Sequence, residues 1–270
     1  MKNIETFFEC LEDFAHRELF RGAEYPWTPL KTLEKSIAGI LSKAKERGKC
    51  ADTQWAATSV FRARGGSVQE RCLIVRQWFE TPAPIYMEEL GIFIGEGSIL
   101  EPTAIIKGPA AIGDYCEIRQ GAYLRGNILV GNHCVIGHNT EVKNSILMNH
   151  TEAGHFNYIG DSILGSYVNL GAGSRLANLQ FRTSREKREA FIRPIKIDLD
   201  GQTIDTGMEK LGAVLGDYVE LGCNAVASPG VLLGKNNWVY PNATLPKGFY
   251  KPNTFLGPSE RKIKSIEKLG

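Results

Sequence analysis

The apolar pattern of this 270-residue chain calls for an all-β solenoid with an N-terminal helical region. Two observations carry that reading. From Ile94 an aliphatic side chain returns at every sixth position, through Leu100, Ile106, Ile112, Ile118, Leu124, Val130, Ile136 and Val142. Small residues such as Ser98, Ala104, Ala110, Cys116, Ala122, Cys134 and Thr140 take the fifth position of each unit. A period of six fits neither a helix nor a simple amphipathic strand; it marks stacked coils whose neighbours complete each other's core.

The N-terminal region, residues 1–88, comes first. Ile4, Phe7, Phe8, Leu11 and Phe14 lie at three- and four-residue spacing, which predicts one helix ending near Phe20. A second helix is expected after Thr28 and Pro29, with Leu30, Leu33, Ile37, Ile40 and Leu41 on its buried face and Gly48 at its end. Leu73, Ile74 and Val75 suggest a short buried strand, and residues 81–84, TPAP, a stiff connector. This region either recognises a partner or substrate, or covers one end of the following domain and shields an open sheet edge.

The repeat domain is placed at residues 89–250. Its phase shortens once, from Val142 to Ile146, and resumes at Glu152, Tyr158, Leu164, Leu170 and Leu176, then at Leu215, Leu221, Ala227, Leu233, Val239 and Leu245. About seventeen hexapeptides give some six coils. Residues 177–211 leave the period: alternating Ile195, Ile197 and Leu199 before Asp200 and Gly201 predict a protruding hairpin. The cluster Arg182, Arg185, Lys187 and Arg188 reads either as a phosphate contact or as a solvated loop face. Residues 251–270 form a tail, with a short helix in its last ten residues.

Composition narrows the functional classes. Thirty-two basic against thirty acidic residues give a net charge of +2, no basis for binding nucleic acid or a membrane surface. The six cysteines contain no CxxC and are expected as reduced thiols, without a zinc knuckle. The first twenty residues lack signal-peptide features, so the cytoplasm is the expected compartment.

The repeat resembles the hexapeptide-repeat, left-handed parallel β-helix, with three short strands per coil. Within it, EVKNSILMNHTEAGHFNYIGDSILGSYVNLGAG, residues 141–173, resembles the acetyltransferase domain of the bifunctional glucosamine-1-phosphate N-acetyltransferase/N-acetylglucosamine-1-phosphate uridyltransferase. VNLGAGSRLANLQF and DTGMEKLGAVLGDYVELG resemble the C-terminal domain of archaeal sugar-phosphate nucleotidyltransferases with the same acetylating activity. The resemblance covers roughly residues 92–246.

That resemblance implies an acetyl-CoA-dependent N-acetyltransferase acting on an amino-sugar phosphate, assembled as a homotrimer. It implies His155 as general base with Glu141 orienting it, and Arg125 and Lys143 holding the sugar phosphate. Tyr158, Asn169 and Asn178 would complete the sugar pocket, while Cys223, where the bacterial enzymes have serine, and Ala225 would lie near the coenzyme. No metal is required. Counting through the four-residue slip, Glu141 and His155 fall on equivalent faces of adjacent coils, and Arg125 and Lys143 form a basic ladder. No glycine-rich turn followed by lysine occurs near the start, so nucleotidyl transfer is not expected.

Two other readings stay open. His133 with His138, and His150 with His155, repeat a five-residue spacing, as in zinc-dependent carbonic anhydrases of this prism fold. Alternatively, the chain is a trimeric scaffold or regulator with a vestigial site.

Overall fold

The computed structural model describes residues 4–45, 56–62, 69–199 and 201–257. Gly48, Cys50, Asp200 and the expected terminal helix lie outside them. Three nine-stranded sheets form the faces of a left-handed parallel β-helix. Each coil passes from a first face (Ile92–Ile94 in the first coil) to a second (Ile99–Leu100) and a third (Ile105–Lys107). The parallel part has seven complete coils and two strands of an eighth, more than the six expected. The inward positions from Ile94 to Leu245 make twenty-one hexapeptides rather than about seventeen, and strands Gly248–Tyr250 and Phe255–Leu256 add the partial coil, the second of them in the expected tail.

The prism interior is dry and aliphatic. Ile106, Leu124, Val142, Ile159 and Leu176 are fully buried in one continuous cluster. Burying each such side chain contributes about 1.5–3 kcal/mol. Those contributions fix the register, which differs from the expected one. Leu147 stands opposite Val130, Ala153 opposite Ile136, and Ile159 opposite Val142.

The single four-residue slip is therefore replaced by two five-residue steps, Val142 to Leu147 and Ile159 to Leu164, each shortening the corner between third and first faces. The expected register would put the Glu152 carboxylate inside a dry core, which costs several kcal/mol or forces protonation. The observed one places Glu152 outside and Ala153 inside.

Corners demand left-handed backbone, and one corner meets that cost with a ring column. Tyr115, His133, His150, Tyr167 and Tyr218 have φ between 55° and 60° at the corner between first and second faces. Their rings stack within 9° of parallel, with centroids 4.6 to 5.2 Å apart. Each left-handed non-glycine residue costs roughly 1–2 kcal/mol, and each ring pair returns about 0.5–1.5 kcal/mol.

An antiparallel layer covers the open end. Ile85–Met87 pairs with the first face, Phe79–Glu80 with the second, and Gln69–Val75 with the third. The expected buried strand at 73–75 is the end of that last segment.

Residues 4–44 do something else: they lie along the first face. Phe7, Phe8, Phe14, Trp27, Leu33 and Ile37 pack on Leu129, Ile146, Ile163, Val214 and Leu232. The expected first helix is three separate 3-10 turns, Ile4–Thr6, Leu11–Asp13 and Arg17–Phe20. Its phenylalanines follow the spacing of the sheet beneath rather than a single helical stripe. The second helix, α1, runs Leu33–Ala44 after a 3-10 turn at Thr28–Thr32.

The excursion behaves similarly. Strands Lys196–Leu199 and Gln202–Asp205 form the expected hairpin, but it does not protrude. Ile195, Ile197 and Leu199 give it an apolar side, which is buried on the first face. The close approach requires Gly230, at φ +86°, where a Cβ would lie 3.1 to 3.3 Å from Ile195 and Ile197.

Three expectations follow. Leu124→Ala and Ile136→Ala should each lower unfolding free energy by about 2–5 kcal/mol in urea titrations, whereas Phe181→Ala, at a residue 99% exposed, should change it by less than about 0.5 kcal/mol. Burial holds the His16 imidazole below its ordinary pKa, and burial plus the neighbouring His133 do the same for His150. The unfolded chain thus takes up protons first, so stability should fall as pH drops below about 6.5, and His16→Gln with His150→Gln should flatten that dependence.

Candidate active site

The register decides which outward side chains meet. On the third face, Tyr123–Arg125, Glu141–Lys143 and Tyr158–Gly160 are successive strands, with Tyr123 opposite Glu141 and Glu141 opposite Tyr158. Flanking the inward Leu124 and Val142, Arg125 and Lys143 point outward one above the other, below them Lys107, which is in register with Arg125.

The cations are not idle. Arg125 Nη1 donates to Glu141 Oε1 at 2.5 Å, and this bond pushes the guanidinium pKa further up. Arg125 and Lys107 also lie 5.9 and 5.7 Å from the centroid of the Tyr123 ring. Lys143 Nζ sits 3.5 Å from Asp161 Oδ2.

Asp161 gathers the rest. Its Oδ1 accepts from Asn144 Nδ2 at 2.7 Å and its Oδ2 accepts from Asn178 Nδ2. Tyr158 in turn donates its hydroxyl to Asn178 Oδ1 at 3.3 Å. Burial, then the charges of Glu141 and Asp161, raise the Tyr158 phenol pKa. The outward Tyr158 does not fill the prism, because Ile159 takes the inward position.

The structure therefore brings Arg125, Glu141, Lys143, Tyr158 and Asn178 onto one face. It does not pair Glu141 with His155. Since the actual spacing between equivalent positions here is seventeen residues rather than fourteen, Glu141 meets Tyr158, and His155 meets His138. His155 stands at the corner between second and third faces. Its backbone is fixed by Asn157 Oδ1 and Gly173 N, while its exposed imidazole has no polar partner among the described residues.

Asn169 lies on the second face, donating to Glu220 Oε2 at 2.7 Å. Cys223 is an exposed free thiol two coils beyond His155 on the same corner, after Ala172. Ala225 is 1% exposed and its methyl faces the core. Only its main chain could meet a coenzyme, and there the N–H already donates to Gly222 and the carbonyl accepts from Arg175.

The histidine pairs do not make a metal centre. His133 and His150 belong to the ring column, whereas His138 and His155 occupy a different corner. His138 Nδ1 is 3.0 Å from the Gln120 carbonyl, and among the described residues no three His, Cys, Asp or Glu side chains are grouped to hold an ion. Of the basic cluster, Arg185 bonds Glu189 and all four side chains are exposed beside a helix, α2 (Ser184–Arg188), closed by a Thr183–Glu186 capping box. A cavity of about 640 Å³ lies elsewhere, under α1 beside His16, Lys43 and Asp114.

Sequence reasoning missed Tyr123, Asn144 and Asp161. Asp161 had a signal: a carboxylate directly after Gly160, at a corner with φ 47° where the corresponding residues, Asn127 and Asn144, are asparagines.

Residues 106–254 match the model of the GMPPB C-terminal domain. The chain is 34% identical over 164 residues to a bifunctional sugar-1-phosphate nucleotidylyltransferase/acetyltransferase of Sulfurisphaera tokodaii, covering 54% of this chain and 39% of that protein. It is 31% identical over 135 residues to the bifunctional protein GlmU of Methanocaldococcus jannaschii, covering 50% and 30%. The chain thus spans less than half of either relative. Among solved structures, the acetyltransferase domain of PglB from Neisseria gonorrhoeae in complex with acetyl coenzyme A aligns at TM-score 0.32 and 12% identity, covering 62% of this chain and 55% of that one.

If the third-face network is one unit, Tyr158→Phe should lower stability by about 0.5–1.5 kcal/mol, the loss of one hydrogen bond. In the same urea titrations, the pair Tyr158→Phe/Asn178→Ala should fall short of the sum of the two single changes.

Proposed function

We propose that this chain, which belongs to the family of GMPPB C-terminal domains, is an acetyl-CoA-dependent N-acetyltransferase whose acceptor is a hexosamine 1-phosphate. The observation that carries the reading is the third-face cluster: two cations, a tyrosine hydroxyl and an asparagine stacked beside the corner of His155, whose exposed imidazole has no polar partner among the described residues. The name of the Sulfurisphaera tokodaii relative, a bifunctional sugar-1-phosphate nucleotidylyltransferase/acetyltransferase, supports the substrate class.

Each residue then has a task. Arg125 and Lys143 take the sugar phosphate through charge-assisted hydrogen bonds, Arg125 exchanging Glu141 for phosphate oxygens while Lys143 stays beside Asp161. Tyr158 and Asn178 hold the sugar. The amine of a hexosamine is mostly protonated near neutral pH, and the free imidazole of His155 removes its proton. The amine nitrogen attacks the thioester carbonyl, the carbon–sulfur bond breaks, the imidazolium gives its proton to the departing sulfur so that coenzyme A leaves as the thiol, and the nitrogen's second proton passes to solvent. Holding the two reactants together lowers the entropic barrier.

Glu141 can orient His155 only after leaving Arg125, which arrival of a phosphate on Arg125 would permit. The coenzyme runs along the corner from His155 toward Cys223. Asn169, on the second face and bonded to Glu220, could reach such a cleft only from a neighbouring copy, as in a homotrimer. The described residues contain no helix long and apolar enough to cross a membrane.

The engagement of Glu141 by Arg125 also favours a second reading, a scaffold whose base is never oriented. Thiol release from acetyl-CoA with glucosamine 1-phosphate or galactosamine 1-phosphate separates the two. Turnover that drops about 100-fold or more in His155→Ala supports the enzyme; equal, negligible rates in both proteins support the scaffold. Alkylation of the exposed Cys223 by iodoacetamide should be slowed by acetyl-CoA, whose sulfur is acylated and does not consume the reagent, and unchanged labelling would remove the coenzyme from that corner.

A further inference from the structure

Asp161 is the one carboxylate of the third-face cluster that is nearly buried, with 7% side-chain exposure. Carboxylates are almost never buried unless paired, and this one is paired three times, by Lys143, Asn144 and Asn178. Its main chain is tied on both sides as well. The N–H donates to the Lys143 carbonyl at 2.9 Å, and the carbonyl accepts from Gly212 N at 2.8 Å.

Those partners come from distant parts of the chain. Asn178 is where the excursion leaves the prism and Gly212 is where it returns, and Leu211 N donates to Asn178 O at 3.1 Å. Asp161 thus closes the root of a long excursion while holding the ammonium of Lys143. The shortened corner makes this possible: with one residue fewer between the third and first faces, Asp161 follows Gly160 directly, and Gly160 is the register partner of Lys143.

We propose that Asp161 is the positioning residue of the anion site. Its buried charge fixes Lys143 Nζ and, through Asn178, the Tyr158 hydroxyl, so that one carboxylate sets the geometry of the phosphate contact and of the sugar contact together. This rests on the reading of the third face as a sugar-phosphate site. Two effects compete: removing the charge lessens repulsion of an incoming phosphate, but it releases the lysine and presents an amide donor to the donors of Asn144 or Asn178. A buried donor facing another donor loses its bond outright, so loss of position outweighs relief of repulsion.

The test is Asp161→Asn in the full chain. The KM for the hexosamine 1-phosphate should rise about tenfold or more while the KM for acetyl-CoA stays within about twofold. With the unphosphorylated amino sugar the ratio of variant to wild type should fall but stay above one, because only the sugar contact through Asn178 and Tyr158 is then disturbed. Adding Lys143→Met should raise the phosphate-dependent KM little further, because the two changes disable one contact. Equal rises in both KM values, full additivity with Lys143→Met, or tighter use of the phosphorylated sugar would overturn the proposal.

Should wild type acetylate no hexosamine phosphate, the acetyltransferase reading fails by itself. Binding of inorganic phosphate by calorimetry then decides this one: equal weakening in Asp161→Asn and Lys143→Met supports it, and unweakened binding in Asp161→Asn overturns it. If Asp161→Asn does not fold, Asn144→Ala keeps the charge and removes one arm. It should raise the same KM, or weaken phosphate binding, about threefold; no change overturns the proposal.

Discussion

Keeping the prism interior dry is the constraint from which the outward chemistry follows. An apolar residue must point inward about every sixth position, and nothing charged can take its place without a penalty of several kcal/mol. Ala153 rather than Glu152, and Ile159 rather than Tyr158, satisfy that demand. Once they are inside, their neighbours have no freedom: Glu141 faces Tyr158, Arg125 lies over Lys143, and Asp161 turns into the corner. The arrangement on the surface is a by-product of the arrangement in the core.

The three faces have divided the work. The first is covered by the N-terminal turns, α1 and the hairpin, whose phenylalanines and isoleucines make a second core outside the prism. The second carries outward Glu117, Glu152, Asn169 and Glu220. The third stacks Arg125, Lys143, Glu141, Asp161 and Asn178 in reach of one another. Its charges are balanced: Arg125 by Glu141 and Lys143 by Asp161. Those pairs differ in kind. The first is on the surface, where an ion pair is worth roughly 0–1 kcal/mol and is easily exchanged; the second is anchored by a buried carboxylate with two further donors.

Much of this was legible in the residues. Nine aliphatic positions in strict period identified the solenoid, and the basic ladder of Arg125 and Lys143 followed from simple counting. The phase change was harder. One slip of four residues and a pair of one-residue shortenings both bring Leu164 back into period, and they differ in whether Glu152 and Tyr158 or Ala153 and Ile159 point inward. The N-terminal segment was misread for a related reason: Phe7, Phe8, Leu11 and Phe14 match a helical stripe, but their partners are the side chains of a sheet that the local sequence does not contain. Asn178 was found through the resemblance, whereas Asp161 needed the corner geometry.

The most direct check of the register is a pair of engineered disulfides in a background with Cys10→Ser and Cys223→Ala. Cysteines at in-register positions of neighbouring strands lie within disulfide range. Glu141→Cys with Tyr158→Cys should cross-link on mild oxidation, as seen by a mobility shift that reductant reverses, and Glu141→Cys with His155→Cys should not. Cross-linking of the 141/155 pair in preference to 141/158 would contradict the register and with it the composition of the third face.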